Sequence, residues 1–331
     1  MSVLVCGGAG YIGSHVVLEL IKKNYEVIVI DNFSTGHKFL VNKKSKFYEG
    51  SIKNCNLINK IISENKIDAV INLAGFSQVG ESFLNPEKYY KNNVVGLIKL
   101  LEIMIKKKVK NIIFSSSAAV YGNNCDRYIS ESSLTNPNSV YGKTKLICEN
   151  IISDYAKAYN INFVILRYFN VSGANYKYNI GEFHLPETHI IPKIFQSIIK
   201  KEKIKIFGDD YKTKDGTCVR DYIHVSDVAN AHVIVLKNIT KNTNINKIYN
   251  LGNSKGYSVL DILKKCEKII CEKIDFEFVD RRKGDPDILI SNCEKIKKEL
   301  DFETRFSNLE NIINTAWKWH KLLLAELGRN T

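Results

Sequence analysis

The sequence predicts an α/β protein in which a doubly wound parallel sheet is followed by a smaller C-terminal α/β lobe. Short runs of β-branched residues alternate with longer amphipathic stretches through the first half of the chain, as in sheets built from strand–helix–strand units. The first of these runs leads into a glycine-rich turn. The chain has 331 residues, more than one hydrophobic core usually organises, so two lobes are expected.

Five runs in the first half are predicted strands, because each is short and rich in β-branched residues. The stretches between them are long enough for helices that cross from one parallel strand to the next. The predicted strands are residues 3–6, 26–30, 69–73, 111–116 and 163–168.

The alternation ends near residue 170, which we take as the end of the first domain, so that the second domain covers 171–331. A run at 248–251 resembles a strand ending at a glycine and is expected to return to the first sheet. Amphipathic stretches predict helices at 192–200 and near 258–271 and 307–323.

The composition is that of an ordinary globular protein, with 44% hydrophobic and 25% charged residues. Lysine dominates the net charge of +13, and Asn and Ile are also abundant. A genome biased towards Lys, Asn and Ile codons therefore explains the charge better than binding to nucleic acid does, and we expect no nucleic-acid partner. The eight cysteines form no C-x-x-C pair and no H-E-x-x-H occurs, so no metal site or disulfide framework is predicted.

Targeting and membrane signals are not found. No apolar run reaches the roughly 18 residues of a membrane span, and the strand that begins at residue 3 leaves no basic segment before it. The sequence therefore predicts a cytoplasmic protein with reduced thiols and no membrane partner.

The glycine turn Gly7-Gly8-Ala9-Gly10-Tyr11-Ile12-Gly13 follows a strand and opens an amphipathic helix. This context is typical of a Rossmann dinucleotide site, where glycines allow a tight turn and the helix N-terminus faces the pyrophosphate. Asp31 closes the second strand, 18 residues after Gly13. A carboxylate there accepts hydrogen bonds from ribose hydroxyls and repels a 2′-phosphate, which favours NAD over NADP.

A tyrosine and a lysine lie four residues apart in Tyr141-Gly142-Lys143-Thr144-Lys145, so a helix would place them on one face. A tyrosine is a poor base at neutral pH, but a nearby ammonium and the positive nicotinamide ring would favour its phenolate. The serine run at 115–117 ends a predicted strand at the ligand edge of the sheet.

These segments resemble the extended short-chain dehydrogenase/reductase superfamily. The resemblance implies that Ser117 orients the substrate hydroxyl and Tyr141 takes its proton. It also implies that Lys145 binds the nicotinamide ribose and lowers the pKa of the tyrosine.

Later segments are similar to one family of that superfamily, the UDP-glucose 4-epimerases, from residue 2 to about 320. The resemblance implies interconversion of UDP-galactose and UDP-glucose through a 4-keto sugar, with tightly bound NAD. Nucleotide-sugar dehydratases are disfavoured, because their acid–base pair would fall on Ala118 and Ala119. The segments are Ala74-Gly75, Val79-Gly80-Glu81-Ser82, Tyr89-Tyr90-Lys91-Asn92-Asn93, Arg167-Tyr168-Phe169-Asn170, the run from Gly216 to Val225, and Arg281-Arg282-Lys283-Gly284-Asp285.

The resemblance also implies a set of contacts for each ligand. Arginines would hold the diphosphate and Asp285 the uridine ribose, since planar guanidinium donors suit phosphate. The cofactor contacts are Gly7, Gly10, Tyr11, Ile12, Gly13, Asp31, Asn32, Ser51, Ile52, Leu73, Ala74, Gly75, Ser77, Asn92, Ser115, Tyr141, Lys145 and Tyr168. The substrate contacts are Ser117, Tyr141, Asn170, His189, Phe207, Arg220, Arg282, Asp285 and Leu289.

Three positions depart from patterns common in the family. Ser51 stands where Asp usually accepts the adenine amino group, and Ser77 replaces a frequent Lys that touches the cofactor, so both weaken the expected retention of NAD. Leu289 occupies a position whose bulk gates the sugar pocket. Its intermediate size predicts some turnover of UDP-N-acetylglucosamine and UDP-N-acetylgalactosamine.

Two other functions are compatible with these features. A UDP-pentose or UDP-glucuronate 4-epimerase would use the same chemistry, although no extra Arg or Lys marks a carboxylate pocket. A non-catalytic NAD- or RNA-binding protein is the alternative of another class. The family pairs two subunits through helices corresponding to about 82–107 and 141–159, so the resemblance implies a homodimer.

Overall fold

The computed structural model describes residues 1–124, 126–242, 244–282 and 284–327. Lys283, part of a motif quoted above, lies outside these ranges. The strands are β1 (Ser2–Cys6), β2 (Glu26–Asp31), β3 (Lys46–Glu49), β4 (Ala69–Asn72), β5 (Asn111–Ser117), β6 (Asn162–Tyr168), β7 (Asn170–Ser172), β8 (Ile204–Phe207), β9 (Val219–His224), β10 (Asn246–Leu251), β11 (Gly256–Ser258), β12 (Phe276–Val279) and β13 (Ile288–Leu289). The helices are α1 (Tyr11–Lys22), α2 (Cys55–Asn65), α3 (Val79–Leu84), α4 (Pro86–Tyr89), α5 (Val95–Lys106), α6 (Val140–Tyr159), α7 (Ile190–Lys200), α8 (Val225–Lys241), α9 (Val259–Ile270), α10 (Glu294–Leu300) and α11 (Leu309–Leu327).

The main sheet has seven parallel strands in the order β10-β6-β5-β4-β1-β2-β3. The order reverses between β1 and β4, where doubly wound sheets bind their ligands. The predicted fold class, a doubly wound Rossmann sheet, is confirmed. Strand β3 was not predicted from the sequence, because only Phe47 and Tyr48 are apolar in it and both are partly exposed at the sheet edge.

Both faces of the sheet are covered, so its central strands are continuously apolar rather than alternating. All five residues of β1 are buried. One face packs against α1 and α8, where Leu20 and Leu236 are fully buried. The other packs against α2, α5 and α6, where Ile61, Leu100 and Ile152 are buried.

The chain after β6 builds a smaller α/β unit and also returns to the main sheet. Strands β7, β9, β11 and β13 form a second sheet, and β8 pairs with β12. Helices α7, α9 and α11 supply its core around Phe195, Ile262 and Ile312. Helix α8 packs against α1, and β10 pairs in parallel with β6.

Helix α6 begins where the sequence supplies a cap. The hydroxyl of Ser139 accepts a hydrogen bond from the backbone N–H of Gly142 at 3.0 Å, which satisfies one of the free donors of the first turn. Tyr141 therefore lies in the first turn of α6, facing the carboxyl ends of the strands. Among the described residues, no helix combines the length and apolar character needed to cross a bilayer.

Candidate active site

The glycine turn joins β1 to α1 in a geometry that larger residues could not adopt. Gly7 has φ +81°, a left-handed conformation that glycine adopts without steric cost. A Cβ on Gly13 would lie 2.0 Å from the carbonyl oxygen of Gly7, so only glycine allows helix and turn to approach this closely. Gly10 precedes α1 without a side-chain cap, which leaves helix N–H donors free for an anion.

Asp31 lies beside this turn at the end of β2. Its carboxylate accepts hydrogen bonds from the backbone N–H groups of Ala9 and Phe33, each at 2.9 Å. Burial raises its pKa, and these backbone hydrogen bonds counteract part of that effect. Asp31 thus supports the turn as well as lining a cavity with Asn32, Ser51 and Ile52.

The predicted serine, tyrosine and lysine converge at the carboxyl end of β5. Ser117 ends β5, and its hydroxyl accepts a hydrogen bond from the N–H of Ala119 at 3.1 Å. Lys145 donates through Nζ to the carbonyl oxygen of Ser115 at 2.6 Å. The same Nζ lies 5.8 Å from the centroid of the Tyr141 ring, so helix α6 presents both side chains to the strand end.

Burial governs the protonation of this set. Burial raises the pKa of Tyr141, and a hydrogen bond with Ser117 opposes the rise. Burial also lowers the pKa of Lys145 to about 8, because desolvation disfavours the charged form of a lysine. Without further positive charge nearby, the tyrosine is a phenol at neutral pH, and it becomes an effective base only when a cation stabilises its phenolate.

One large cavity of about 370 Å³ is lined by Ser117, Tyr141 and Lys145, and a smaller cavity adjoins it at Asp31. The two share Gly7, Gly10, Leu73 and Gly75 in their linings. Every predicted cofactor contact lines one of them. Of the predicted substrate contacts, the large cavity is lined by Ser117, Tyr141, Asn170, His189, Arg220, Asp285 and Leu289.

The two remaining predicted substrate contacts lie outside the lining and pack on each other. The guanidinium carbon of Arg282 lies 4.0 Å from the ring centroid of Phe207, a cation–π contact. Arg220 lies 3.8 Å from the carboxylate of Asp285. The predicted diphosphate and ribose contacts are therefore engaged with each other or with neighbouring side chains in this structure.

Asn93 holds the loop over the cofactor side of the cavity, although the sequence analysis singled out only its neighbour Asn92. Its side chain accepts a hydrogen bond from the N–H of Phe76 at 2.9 Å and donates one to the carbonyl of the same residue at 3.0 Å. Both asparagines lie in a π-helical turn at 90–94, a distortion that is frequent at functional sites. The motif that contains them was visible in the sequence, but this contact spans 17 residues.

A cluster of two glutamates and two histidines at the cavity wall was also not anticipated. The ligating atoms of Glu182, His184, Glu187 and His189 lie within 4.8 Å of one another. His189 Nδ1 is 2.5 Å from Glu182, and His184 Nδ1 lies 3.4 Å from Glu182 and 3.6 Å from Glu187. The histidines and glutamates are thus partnered with one another, and the absence of a metal stays a prediction.

This cluster predicts a pH dependence of stability. Burial alone would lower the pKa of His184, but its contacts with Glu182 and Glu187 raise it from 6.5 to about 10. Burial alone would raise the pKa of Glu182, but the two histidines lower it from 4.5 to about 2. The His184 contribution is therefore complete below pH 6.5 and lost towards pH 10, and the Glu182 contribution is complete above pH 4.5 and lost towards pH 2.

Melting temperatures of wild type and a His184→Gln variant across pH 5 to 10 test this. We expect the wild type to be the more stable protein below pH 6.5 and the difference to close as the pH approaches 10. A difference that stays constant over this range would contradict the assigned charge state of His184.

Comparison with known proteins agrees with this geometry. The chain matches the NAD dependent epimerase/dehydratase family over residues 3–252. It is 48% identical to a UDP-glucose 4-epimerase of Lactobacillus helveticus over 97% of both chains. It superimposes on UDP-glucose 4-epimerase from Bifidobacterium longum in complex with NAD+ and UDP with TM-score 0.93 and 36% identity, covering 97% of this chain and 98% of the other.

The UDP-Glc/GlcNAc 4-epimerase of Campylobacter jejuni is also similar, with TM-score 0.84 and 36% identity over 97% of this chain and 99% of the other. The relatives thus match almost the whole chain, including the part beyond residue 252. The chain belongs to the NAD-dependent epimerase/dehydratase family, in the group of the UDP-glucose 4-epimerases.

Proposed function

We propose that this protein is an isomerase, a UDP-glucose 4-epimerase that interconverts UDP-galactose and UDP-glucose and keeps NAD bound through the cycle. The observation that carries the proposal is the placement of Ser117, Tyr141 and Lys145 in one cavity between the glycine turn and Arg220. A redox cofactor and an anchored nucleotide sugar would then meet at a set of groups able to move a proton.

The residues present fit NAD. The turn at Gly7 and Gly13 is closed to any side chain, so the backbone is open to a pyrophosphate at the start of α1. The carboxylate of Asp31 lines the adjoining cavity, where it would accept hydrogen bonds from the ribose hydroxyls of NAD and repel the 2′-phosphate of NADP. When bound, NAD would supply a hydride acceptor that gives the hydride back within the same cycle.

The chain's own groups would carry the proton. Tyr141 would take the proton of the sugar 4-hydroxyl and return it to the 4-keto oxygen after the ring has turned, so the centre inverts without net oxidation. Ser117, which is hydrogen-bonded to Tyr141, would orient the sugar 4-hydroxyl. Lys145 supplies positive charge on the same helix face, which favours the phenolate that burial opposes.

The substrate must be held at its nucleotide end while the sugar turns. We assign the diphosphate to Arg220 and Arg282 and the uridine ribose to Asp285, with Asn170, His189 and Phe207 as further UDP contacts. Arg220 and Asp285 line the cavity, whereas Arg282 stacks on Phe207 and would have to turn from that ring to reach a phosphate. The sugar would lie near Leu289 and Ala118.

The proposal is tested by two measurements on one preparation. The purified protein is denatured, and the released nucleotide is identified and counted per chain. Native protein is then given UDP-galactose without added NAD, and UDP-glucose is measured. We expect about one NAD per chain and turnover without added cofactor. Turnover that requires added NAD would show that Ser51 and Ser77 do not retain it, and no turnover at all would refute the epimerase.

The size of the side chain at position 289 is expected to control which UDP-sugars the protein converts. Its side chain lines the cavity beside Ala118 and Ala119. We expect some UDP-N-acetylglucosamine turnover in the wild type, less in Leu289→Tyr and more in Leu289→Ala, because a larger side chain fills the space of the acetamido group. Coupled assays with both sugars measure the ratio of kcat/KM values. An unchanged ratio in the two variants would contradict a gate at this position.

We further propose a cytoplasmic homodimer, with cofactor binding mainly in residues 1–170 and strand β10, and UDP-sugar binding mainly in 171–331. Phe83, Leu84 and Val95 are exposed on α3 and α5, as is Tyr159 at the end of α6. Exposed apolar groups on neighbouring helices are typical of an interface. Sedimentation at the mass of two chains would support the dimer, and sedimentation as a monomer would contradict it.

A further inference from the structure

We propose that Glu149 and Arg167 are positioning residues for the proposed epimerisation, because their buried ion pair holds α6, with Tyr141 and Lys145, in a fixed place against β5, with Ser117. The inference rests on the proposed function, since it concerns the reacting geometry of the same cavity. Neither side chain lines that cavity, so each would act through the groups that it holds.

Glu149 connects helix α6 to strand β5 through a hydrogen bond. It lies four residues after Lys145 and eight after Tyr141 on α6, hence on a similar face of the helix. Its buried carboxylate accepts a hydrogen bond from Ser116 Oγ at 2.5 Å. Because Lys145 bonds the carbonyl of Ser115, successive turns of the helix are joined to successive residues of the strand that ends at Ser117.

Arg167 fixes the carboxylate from the next strand. It stands opposite Ser116 in the pairing of β5 with β6, and it donates to Glu149 through Nε at 3.0 Å and Nη2 at 2.6 Å. This two-bond geometry restricts both position and orientation. Burial disfavours the Arg167 charge, but the hydrogen bonds to Glu149 outweigh it and raise the pKa of the guanidinium.

The same guanidinium extends the network to the other side of Ser117. Its Nη1 donates to the hydroxyl of Tyr121 at 2.9 Å, and Tyr121 donates to Asn250 on β10 at 2.6 Å. Tyr121 ends the turn 118–121 that follows Ser117. Arg167 therefore joins, through Glu149 and Tyr121, the segments before and after the catalytic serine and the helix opposite it.

Stability alone does not account for such a pair. Burying two charges carries a desolvation penalty, and apolar residues of similar volume are often at least as stabilising. Reacting groups, by contrast, must be held within about 0.5 Å of their productive positions, and hydrogen bonds from the side chains behind them are a usual way to achieve this. Glu149 has an electrostatic effect too: burial lowers the pKa of Lys145, whereas the nearby Glu149 carboxylate acts in the opposite direction and raises it.

Three variants of the full-length protein with its NAD separate the positioning effect from the electrostatic one: a charge-free double variant, Arg167→Lys and Ser116→Ala. In the charge-free double variant Glu149→Met/Arg167→Met we expect a melting temperature near that of wild type, an unchanged KM for UDP-galactose and a kcat lower by roughly 10- to 100-fold. The Lys145 pKa, followed by NMR of protein labelled with 13C at lysine Cε, should fall further below its ordinary value. A Lys145→Arg spectrum assigns the signal.

Arg167→Lys and Ser116→Ala keep the Glu149 charge but remove part of the geometry. We expect each to lower kcat, without a change in KM or in the Lys145 pKa. These two also decide the question if the double variant does not fold. Met104→Ala, in the core of α5, is the control for general destabilisation, and it should lower the melting temperature while leaving kcat unchanged when folded.

The outcomes keep the two proposals apart. Wild type that does not convert UDP-galactose refutes the proposed function, and the Lys145 pKa then still tests the coupling to Glu149 without turnover. Active wild type together with variants that retain wild-type kcat and an unchanged Lys145 pKa overturns the positioning role alone. A loss of kcat in Met104→Ala equal to that in Arg167→Lys would overturn it as well.

Discussion

A Tyr141→Phe variant is expected to lose about 10²- to 10⁴-fold in kcat for UDP-galactose, the usual contribution of a positioned acid–base group. Only the phenol oxygen is removed. The ring would still pack against Tyr89, whose centroid lies 6.5 Å away, so the cavity should keep its shape. KM, UDP affinity and NAD content should therefore stay close to wild type.

Steady-state kinetics and calorimetric titration with UDP measure these quantities. Tyr159→Phe makes the same change at the exposed end of the same helix and should leave kcat unchanged. Retained epimerisation near the wild-type rate in Tyr141→Phe would remove this residue as the base. A parallel loss of UDP affinity would show that the substitution had altered the cavity instead.

Gly13→Ala is expected to lose the cofactor altogether and to lower thermal stability. The added methyl carbon would lie 2.0 Å from the carbonyl oxygen of Gly7 and 2.9 Å from Gly8 Cα. These are backbone atoms, so the turn must move away from α1. The N–H donors and the turn would then no longer face a common pyrophosphate, and activity should fall below detection even with added NAD.

The matched control is Gly80→Ala, because a Cβ at Gly80 meets nothing within 4 Å. Gly80 lies in the first turn of α3, and alanine has the higher helix propensity, so the control should be as stable as wild type or slightly more so. Released nucleotide per chain and melting temperature are compared for both variants. Wild-type NAD content in Gly13→Ala would contradict the assigned role of the turn.

Much of the fold could be predicted because its signals are local. Strands β1, β2, β4, β5 and β6 were found within two residues of their ends, since central parallel strands are buried on both faces and must be apolar throughout. The return strand β10 also lies at an edge of the sheet, but its last three residues are buried, so its apolar pattern was still visible. Edge strand β3 was missed because one face of an edge strand can stay polar, which weakens the pattern.

In the candidate site, too, features set by neighbouring residues could be predicted and features set by distant contacts could not. The glycine turn and the pair Tyr141 and Lys145 could be predicted from their spacing together with the strand, helix and serine run around them, because a tight turn and one face of a helix are set by neighbouring residues. Their chemical roles remain predictions. The retention of NAD, the reach of Arg282 and the gate at Leu289 depend on contacts with bound ligands, which no spacing of residues in the sequence records.

Patterns in the amino-acid sequence are enough to predict the doubly wound sheet, the position of the dinucleotide turn and the residues that meet at the end of β5. The distant side chains that support these residues become visible only in the folded chain. Glu149 and Arg167 are joined across 18 residues, and Tyr121 and Asn250 across 129. The physical reason is that such contacts depend on strand register and helix packing, which no local pattern records.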